Sequence, residues 1–145
     1  MPIQIKQHDC KTELREADLK ATPARLAALK VLEASNKPLD VATIRLELKR
    51  SGINTDPATV FRMMNSFSDK GIVRGVNLQE SKLRYEHAAK KEHHHLLCQS
   101  CSAIEDISDC NINALEKGIE KKKGFLVKSH ALEFYGLCQK CQKIN

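Results

Sequence analysis

The first half of the chain has apolar residues at helical spacing, and capping residues mark where each helix begins. Thr22 and Pro23 pair a side chain that caps a helix with a residue that suits its first turn. Asp40 and the pair Asp56-Pro57 predict two further helices in the same way. The inward-facing residues are Leu26, Leu29 and Leu32 in the first helix, Ile44 and Leu48 in the second, and Val60, Met64 and Phe67 in the third.

The spacing of the apolar residues then changes from helical to alternating. Residues 72–78 and 83–86 predict two antiparallel strands that are joined by a tip at residues 79–82. A short amphipathic helix is expected over residues 11–18, before the capped helices. Helices followed by a basic hairpin are typical of a winged helix-turn-helix, in which residues 57–70 form the recognition helix.

The second half predicts strands around a single helix, so the fold class is α+β. The expected elements are strands at 94–98 and 103–107, a helix at 110–123 and a strand at 125–135. The predicted domains are a winged-helix domain at 1–87, a polar hinge at 88–92 and an α/β domain at 93–145.

The composition is that of an ordinary globular protein. Of its 145 residues, 41% are apolar and 29% are charged, which is enough apolar material to bury a core. The formal charge of +6 favours a polyanionic partner such as nucleic acid, without establishing one. The chain begins without an apolar signal segment, and no apolar run approaches the roughly 18 residues of a membrane span. We therefore expect a cytoplasmic protein with no membrane partner.

Two Cys-x-x-Cys pairs carry the strongest chemical prediction. Cysteines are kept reduced in the cytoplasm, so such pairs predict metal ligands before disulfides. Cys98/Cys101 and Cys138/Cys141 have the spacing that directs thiolates to one tetrahedral ion. Together they predict a structural Zn²⁺, because sulfur fills every coordination position and leaves none for a substrate. A redox dithiol pair is the alternative.

The N-terminal end carries no apolar pattern. Residues 1–10 are polar, and we expect a frayed terminus. His8, Asp9 and Cys10 could ligate a metal together, but fraying is the simpler interpretation. Cys10 and Cys110 lie outside the Cys-x-x-Cys pairs, and both are predicted to be thiols without a metal.

The histidine run at residues 93–95 predicts a second metal site. On a strand, His93 and His95 point to one face and His94 to the other. His93 and His95 can therefore chelate one ion, with carboxylates from Glu86 and Asp106. This donor set suits Fe²⁺, Mn²⁺ or Zn²⁺ and discriminates poorly among them. The alternative is a cluster of solvated histidines.

The outer side of the predicted recognition helix offers candidates for DNA contact. Phe61, Arg62 and Asn65 fall outside its buried stripe. Arg62 can contact a base edge or a phosphate, Phe61 a thymine methyl, and Lys20 or Arg84 the backbone or a minor groove. A protein-interaction module with a solvated basic face is the alternative.

Taken together, these motifs resemble the ferric uptake regulator family of bacterial metal-responsive repressors. The resemblance covers roughly residues 12–141 and is specific only in combination. It rests on LKATPAR at 19–25, ATVFR at 58–62, YE at 85–86, HHHLLCQSC at 93–101 and SHALEFYGLCQKC at 129–141. It implies a homodimer with an N-terminal winged-helix DNA-binding domain, to which Thr59 also contributes, and a C-terminal α/β dimerisation domain. Metal binding near the hinge would close the dimer onto palindromic A/T-rich operators.

The resemblance also implies ligand sets, residue by residue. The structural zinc site is Cys98, Cys101, Cys138 and Cys141, the regulatory site is Glu86, His93, His95 and Asp106, and a further site would use His94 and His130 with neighbours Glu92 and Asn113.

The sequence departs from the family pattern at several of these places. Many members supply a hinge histidine where this chain has Lys37-Pro38, which leaves the link between the metal and the DNA-binding domain open. Asn113 stands where a carboxylate is usual, so the His94/His130 site is expected to be weak or empty. Phe61 stands where a tyrosine is usual. Glu86 occupies a position where the peroxide-sensing branch favours aspartate.

We therefore expect a metal-dependent transcriptional repressor, with structural Zn²⁺ and with iron as the leading effector ahead of zinc or manganese. Peroxide sensing is the alternative within the family. No separate nucleophile or base constellation is present in the sequence, so we do not expect an enzyme. The alternatives of other classes are a metalloenzyme that uses the hinge ligands and a zinc-bound interaction module that does not bind DNA.

Overall fold

The structure is a computed structural model that describes residues 9–90, 93–108 and 111–143. The chain forms two compact units, residues 1–90 and residues 91–145. The first unit contains four helices and one small sheet, and the second a three-stranded sheet with two helices. The predicted α+β fold class is confirmed.

The helices of the N-terminal unit begin where the capping residues predict. Three side chains close the exposed first turns: Thr22 accepts from the Arg25 N–H, Asp40 from Thr43 and Asp56 from Thr59. The helices are α1 (Cys10–Glu16), α2 (Pro23–Ala34), α3 (Val41–Arg50) and α4 (Pro57–Asp69). The fourth is the predicted recognition helix.

The wing lies in a three-stranded antiparallel sheet. Its strands are β1 (Leu39–Asp40), β2 (Val73–Val76) and β3 (Arg84–His87), in the order β1-β3-β2. The sequence did not predict β1, whose two residues pair with Tyr85 and Arg84. At the wing tip Gln79 adopts a positive φ of 56°, and its N–H donates to Asn77 Oδ1. This local hydrogen bond supports a turn that lacks the usual glycine.

One apolar core holds the N-terminal unit together. The predicted stripes of α3 and α4 are fully buried, and they pack with Leu14 of α1 and with Tyr85 of β3. The fully buried helical residues of this core are Leu14, Ala28, Leu29, Leu32, Ile44, Leu48, Val60, Met64 and Phe67.

The start of the chain corrects one expectation. Cys10 is not frayed: it begins α1, and its side chain is only 4% exposed. The carboxylate of Asp9 caps the helix by accepting from the Lys11 N–H. The sequence did not predict the burial of Cys10, because the surrounding residues are polar and a single small cysteine does not produce an apolar pattern. His8 lies outside the described residues.

The C-terminal unit is built on a sheet with mixed strand directions. The elements are β4 (His94–Cys98), β5 (Ile104–Ile107), α5 (Ile112–Lys123), β6 (Glu133–Gly136) and α6 (Gln139–Gln142). Strand β4 lies in the centre, antiparallel to β5 and parallel to β6. Gly124 ends α5 with a φ of 69°, as its position predicts.

The predicted strand at 125–135 is mostly wrong. Only its end becomes β6, and residues 124–132 have no regular structure. Phe125 and Leu126, which suggested a buried strand, are 71% and 75% exposed in the single chain. A run of apolar residues predicts that the side chains are buried, but not what buries them, which can be a second chain as well as a neighbouring strand.

Candidate metal centres and DNA-binding surface

The parallel pairing of β4 with β6 brings the two Cys-x-x-Cys pairs together. Cys98 ends β4 opposite Gly136, and Cys138 and Cys141 follow on the turn into α6. All four Sγ atoms lie within 4.8 Å of one another, and those of Cys101 and Cys138 are 3.8 Å apart. This is the spacing of sulfurs around one tetrahedral ion.

The local electrostatics call for a cation among these sulfurs. Backbone hydrogen bonds from Cys101 and Cys138 lower the pKa of the Cys98 thiol to about 6. A hydrogen bond to Ser100 lowers the pKa of Cys141, but its neighbours Cys138 and Cys98 raise it, to a net value of about 12. One thiolate therefore forms at the expense of another. A dication removes this conflict, so the donor set fits Zn²⁺.

The second set of donors stands on the other end of β4. The Nε2 atoms of His93 and His95 are 3.1 Å apart, which agrees with two residues on one face of an extended chain. Asp106 is the partner of His95 across the β4–β5 ladder, and its Oδ1 lies 3.9 Å from His95 Nε2. His95 is 4% exposed, whereas the side chain of Asp106 is 42% exposed. Two imidazoles and one reachable carboxylate can share an ion.

Glu86, the remaining predicted ligand of this set, belongs to the N-terminal unit. It lies on β3 with 2% of its surface exposed, and the Nε of Arg74 donates to its Oε1 at 2.7 Å. A buried carboxylate needs such a partner. The hydrogen bond from Arg74 therefore fixes the side chain of Glu86 in the unit that contains the recognition helix.

The opposite face of β4 presents His94, and here the structure adds a carboxylate that the sequence did not suggest. The His94 and His130 rings are 5.1 Å apart, centroid to centroid. His94 Nδ1 donates to the Leu132 carbonyl at 3.2 Å, which leaves Nε2 as the nitrogen suited to a metal. His130 Nδ1 lies 2.6 Å from Oε1 of Glu116. Glu116 thus provides a carboxylate one helical turn after the exposed Asn113.

Glu116 could have been found from spacing alone. Residues three apart share a helix face, so Glu116 can replace a carboxylate at position 113. Glu92, which the resemblance adds to this site, lies outside the described residues.

The recognition helix presents a polar outer face. Phe61 is 50% exposed, and Arg62 and Asn65 are exposed beside it. Arg62 is 3.4 Å from the hydroxyl of Thr59, which positions its guanidinium along the helix surface. Lys20, before α2, is also exposed. This face carries donors, a cation and an apolar ring, which together can read a major groove.

Arg84 does not belong to that face. Arg84 is only 9% exposed. Its Nε and Nη2 donate to the Glu80 carboxylate at 2.8 and 3.0 Å, and its Nη1 donates to the Pro38 carbonyl. The alternating pattern placed it on the wing without revealing that Glu80, four residues earlier, would bind it. These hydrogen bonds tie the wing to the residue before β1, and a DNA contact by Arg84 stays a prediction.

Comparison with known proteins identifies the chain's relatives. The profile of the ferric uptake regulator family matches residues 16–135. The chain belongs to the ferric uptake regulator family. The ferric uptake regulation protein of Escherichia coli K12 is 35% identical over 131 residues, covering 90% of this chain and 88% of that protein.

Solved structures agree with this assignment. The Vibrio cholerae ferric uptake regulator is 31% identical with a TM-score of 0.79, covering 90% of this chain and all of that one. The Helicobacter pylori ferric uptake regulator, described as having three functional metal-binding sites, is 26% identical with a TM-score of 0.80. The similarity covers 91% of this chain and 88% of the Helicobacter pylori chain.

Ferric uptake regulators are metal-dependent DNA-binding repressors, and the prediction of this function class is confirmed. The predicted pair of an N-terminal DNA-binding domain and a C-terminal dimerisation domain is confirmed with it. Within the part of the chain that the structure describes, no helix has the length and apolar character to cross a membrane.

Proposed function

We propose that this ferric uptake regulator is a homodimeric, iron-responsive repressor of palindromic A/T-rich operators, acting in the cytoplasm with structural Zn²⁺ bound by its four paired cysteines. The single observation that carries the regulatory part is the convergence of His93, His95 and Asp106 at one end of β4. The family resemblance adds Glu86 of the wing as the fourth ligand of this set.

The donors are compatible with iron as the effector, and the ferric uptake regulation proteins among the relatives support that choice. Two imidazoles with carboxylate oxygens are a borderline set that binds Fe²⁺, Mn²⁺ and Zn²⁺, and sulfur, which would select zinc, is missing from the proposed ligands. Glutamate rather than aspartate at position 86 speaks against peroxide sensing. The chemistry that the bound ion supplies is positive charge, which neutralises Glu86 and Asp106 and holds the histidines in one geometry.

The position of Glu86 explains how metal binding could affect DNA binding without a hinge histidine. In this chain the corresponding place is taken by exposed Lys37 and buried Pro38, neither of which is a metal ligand. Glu86 lies on the same sheet as the wing and is already bound by Arg74. The metal binds the operator-competent arrangement better than the alternative and shifts the population by that difference in affinity.

The exposed apolar residues of the C-terminal unit support the homodimer. Leu115 and Ile119 lie one turn apart on α5 and are 58% and 42% exposed, and Phe125, Leu126 and Phe134 are also exposed. A single soluble chain rarely leaves so many large apolar side chains together in water. A second copy of the same surface would cover them.

His94, His130 and Glu116 form the proposed additional metal site. Glu116 replaces the carboxylate that Asn113 lacks, so we expect this site to bind metal, contrary to the prediction from the sequence. Both histidines and Glu116 lie in the C-terminal unit, and their role would be to strengthen that unit rather than to report iron.

Operator binding tests the proposal. The zinc-loaded protein is mixed with a labelled palindromic A/T-rich duplex, and anisotropy is measured during an anaerobic Fe²⁺ titration at fixed salt. Affinity is expected to rise with Fe²⁺ and to fall steeply when salt is increased, because phosphate contacts release counterions. If no divalent metal produces binding to any such duplex, the proposal is wrong.

Variants separate the proposed parts. Arg62→Ala should weaken operator binding by about 1–3 kcal/mol with the fold retained, and Arg62→Lys should recover only the part that comes from charge. His95→Ala should keep the zinc and abolish the metal-dependent gain, whereas Glu105→Ala on the neighbouring strand should not. Unchanged DNA binding in Arg62→Ala would favour an interaction module, and substrate turnover with the hinge metal would favour a metalloenzyme.

A further inference from the structure

A fourth group of side chains that can ligate a metal lies inside the N-terminal unit, apart from the three sites described above. It contains Glu13 of α1, Glu33 of α2 and His87 at the end of β3, with Cys10 beside them. One ligand atom from each of Glu13, Glu33 and His87 lies within 4.8 Å of the others. None of these residues belongs to the ligand sets that the family resemblance implies.

The imidazole of His87 is the buried centre of this group. The residue is 3% exposed, and its Nε2 lies 2.9 and 3.1 Å from the two carboxylate oxygens of Glu13. Its Nδ1 accepts from the Ala89 N–H at 3.1 Å, so Nε2 carries the ring proton and donates it to Glu13. Consecutive residues on a strand point to opposite faces, so His87 turns towards α1 and away from the side chain of Glu86.

Cys10 joins the group through Glu33. Its thiol is 3.4 Å from Oε2 of Glu33, and the residue is 4% exposed. Burial, together with the nearby Glu33, raises the pKa of Cys10 to about 11. The thiol is therefore protonated at neutral pH unless a metal ion displaces the proton, as metals do when they bind cysteine.

The charges of the group favour a cation. Glu13 and Glu33 bring two carboxylates to one poorly solvated place, where like charges repel strongly. A neutral His87 can offer one proton to this pair, and a dication would compensate both charges. In a tetrahedral zinc site the ligand atoms are about 3.3–3.7 Å apart, as follows from bond lengths of about 2.0–2.3 Å. Two pairs come within tenths of an ångström of this: His87 and Glu13 are 2.9–3.1 Å apart, and Cys10 and Glu33 are 3.4 Å apart. Glu13, Glu33 and His87 lie within 4.8 Å of one another, and Cys10 reaches this group through Glu33, so an ion would draw the four ligands closer together.

We propose that Glu13, Glu33, His87 and Cys10 form a binding site for a zinc-class divalent transition metal that ties α1 to α2 and to the end of β3. Nitrogen, sulfur and two carboxylate oxygens are the donors that zinc takes in proteins, and the sulfur argues against Mg²⁺ and Ca²⁺. The site lies in the DNA-binding unit, so its occupancy would act on the winged helix directly. It does not depend on the iron-responsive function proposed above.

Metal binding at His87 has a consequence for the backbone. An ion on Nε2 moves the ring proton to Nδ1, which can then no longer accept from the Ala89 N–H. The segment after β3 would lose that hydrogen bond, and it runs into the predicted hinge at residues 88–92. The Ala89 amide is therefore a reporter of the proposed site that is separate from DNA binding.

The experiment uses the full-length protein with its cysteine-bound zinc in place. A His93→Ala/His94→Ala/His95→Ala/His130→Ala background removes the histidine ligands of the other proposed sites, and Co²⁺ is then titrated. We expect one further Co²⁺ per chain, a cobalt–thiolate charge-transfer band and a shift of the Ala89 amide resonance. Elemental analysis must show that the original zinc is retained.

Matched variants assign the ligands. Glu13→Gln keeps an oxygen that can accept from His87 but removes the charge, so Co²⁺ affinity should fall at least about tenfold, and Glu16→Gln, on the exposed side of α1, should leave it unchanged. Cys10→Ser should remove the thiolate band, whereas Cys110→Ser should keep it. Glu33→Gln gives a second test if substitutions at His87 prevent folding.

Two results would overturn the proposal. The first is the absence of Co²⁺ uptake in the background protein, which would make His87 and Glu13 a hydrogen-bonded packing pair. The second is uptake that Glu13→Gln and Glu33→Gln leave unchanged. A thiolate band that survives Cys10→Ser would remove Cys10 from the site.

Discussion

The two units of the chain are stabilised by different means. The N-terminal unit has one apolar core to which all four helices contribute, and its largest side chains are fully buried. In the C-terminal unit the described residues below 10% exposure are His94, His95, Leu97, Cys98 and Cys141, and α5 has no buried residue. Four of these five are proposed metal ligands. Apolar packing stabilises the N-terminal unit, whereas the C-terminal unit relies on metal and on a partner chain under the function proposed above.

This difference suits a regulator. A unit with its own apolar core can keep a recognition helix in shape when the metal of the other unit is lost, because much of its stability comes from apolar burial. A unit whose buried groups are ligands changes its stability with metal concentration. The two tyrosines lie one in each unit, Tyr85 in the first and Tyr135 in the second, so unfolding of each unit can be followed separately.

The largest effect is expected from breaking the cysteine site. Cys98→Ser removes one ligand from a structural zinc, and such sites contribute apparent free energies of about 10–16 kcal/mol to folding. The C-terminal unit should lose its zinc and its cooperative unfolding, while the Tyr85 transition persists. Elemental analysis and denaturant titration measure both. Cys110→Ser is the control. A full equivalent of zinc retained by Cys98→Ser would show that Cys98 is not needed to hold the ion.

The next effect concerns the partner chain. Leu115→Ser replaces a leucine side chain that the proposed interface buries with a hydroxyl. Burial of a leucine side chain contributes about 1.5–3 kcal/mol of free energy, and a symmetric dimer loses this contribution twice. The monomer–dimer equilibrium should move towards monomer by at least tenfold, as measured by sedimentation. Lys117→Ser, on the opposite side of α5, serves as the control. An unchanged equilibrium would place the interface elsewhere.

A substitution in the apolar core tests the stability of the N-terminal unit separately from that of the C-terminal unit. Phe67→Ala leaves a cavity in the middle of the N-terminal unit and should cost about 3–5 kcal/mol of its unfolding free energy. Tyr85 fluorescence in a Tyr135→Phe background measures that loss, and zinc content should stay at one equivalent. Loss of zinc together with the N-terminal transition would show that the two units unfold as one.

The same difference explains how much the sequence could predict. The N-terminal unit follows local rules: caps at Thr22, Asp40 and Asp56 begin helices, and the stripe of α4 is buried as predicted. Apolar periodicity succeeds there because the chain buries its own apolar residues. Apolar periodicity fails at Phe125, because it predicted a strand there and the single chain leaves the ring exposed.

The candidate sites show a similar division. Ligands that lie close in sequence, such as Cys98 and Cys101, were predictable from spacing. Partners that only the fold brings together were not: the ring of His94 hydrogen-bonds to the carbonyl of Leu132, 38 positions away. Glu13 and His87 are 74 positions apart, and no local pattern connects them.

The smallest predicted effect tests whether the N-terminal unit is independent of metal at low pH. Asp40 caps α3 and pairs with Lys82 at 2.7 Å. Burial alone would raise its pKa, but the hydrogen bonds from Lys82 and Thr43 outweigh burial and lower it to about 2, from an ordinary 3.8. A lowered pKa means that the ionised carboxylate stabilises the folded state, so this contribution is present above about pH 4 and is lost as the pH falls towards 2.

Asp40→Ala should therefore cost about 1 kcal/mol near neutral pH, the usual cost of losing a helix cap. The unfolding curves of variant and wild type, followed by Tyr85 in the Tyr135→Phe background, should converge between about pH 4 and pH 2. Asp69→Ala, which removes an exposed charge from the end of α4, controls for net charge and should show no such convergence. If removal of the zinc shifts the Asp40 difference, the N-terminal unit depends on metal in the other unit, and the contrast between the two units fails.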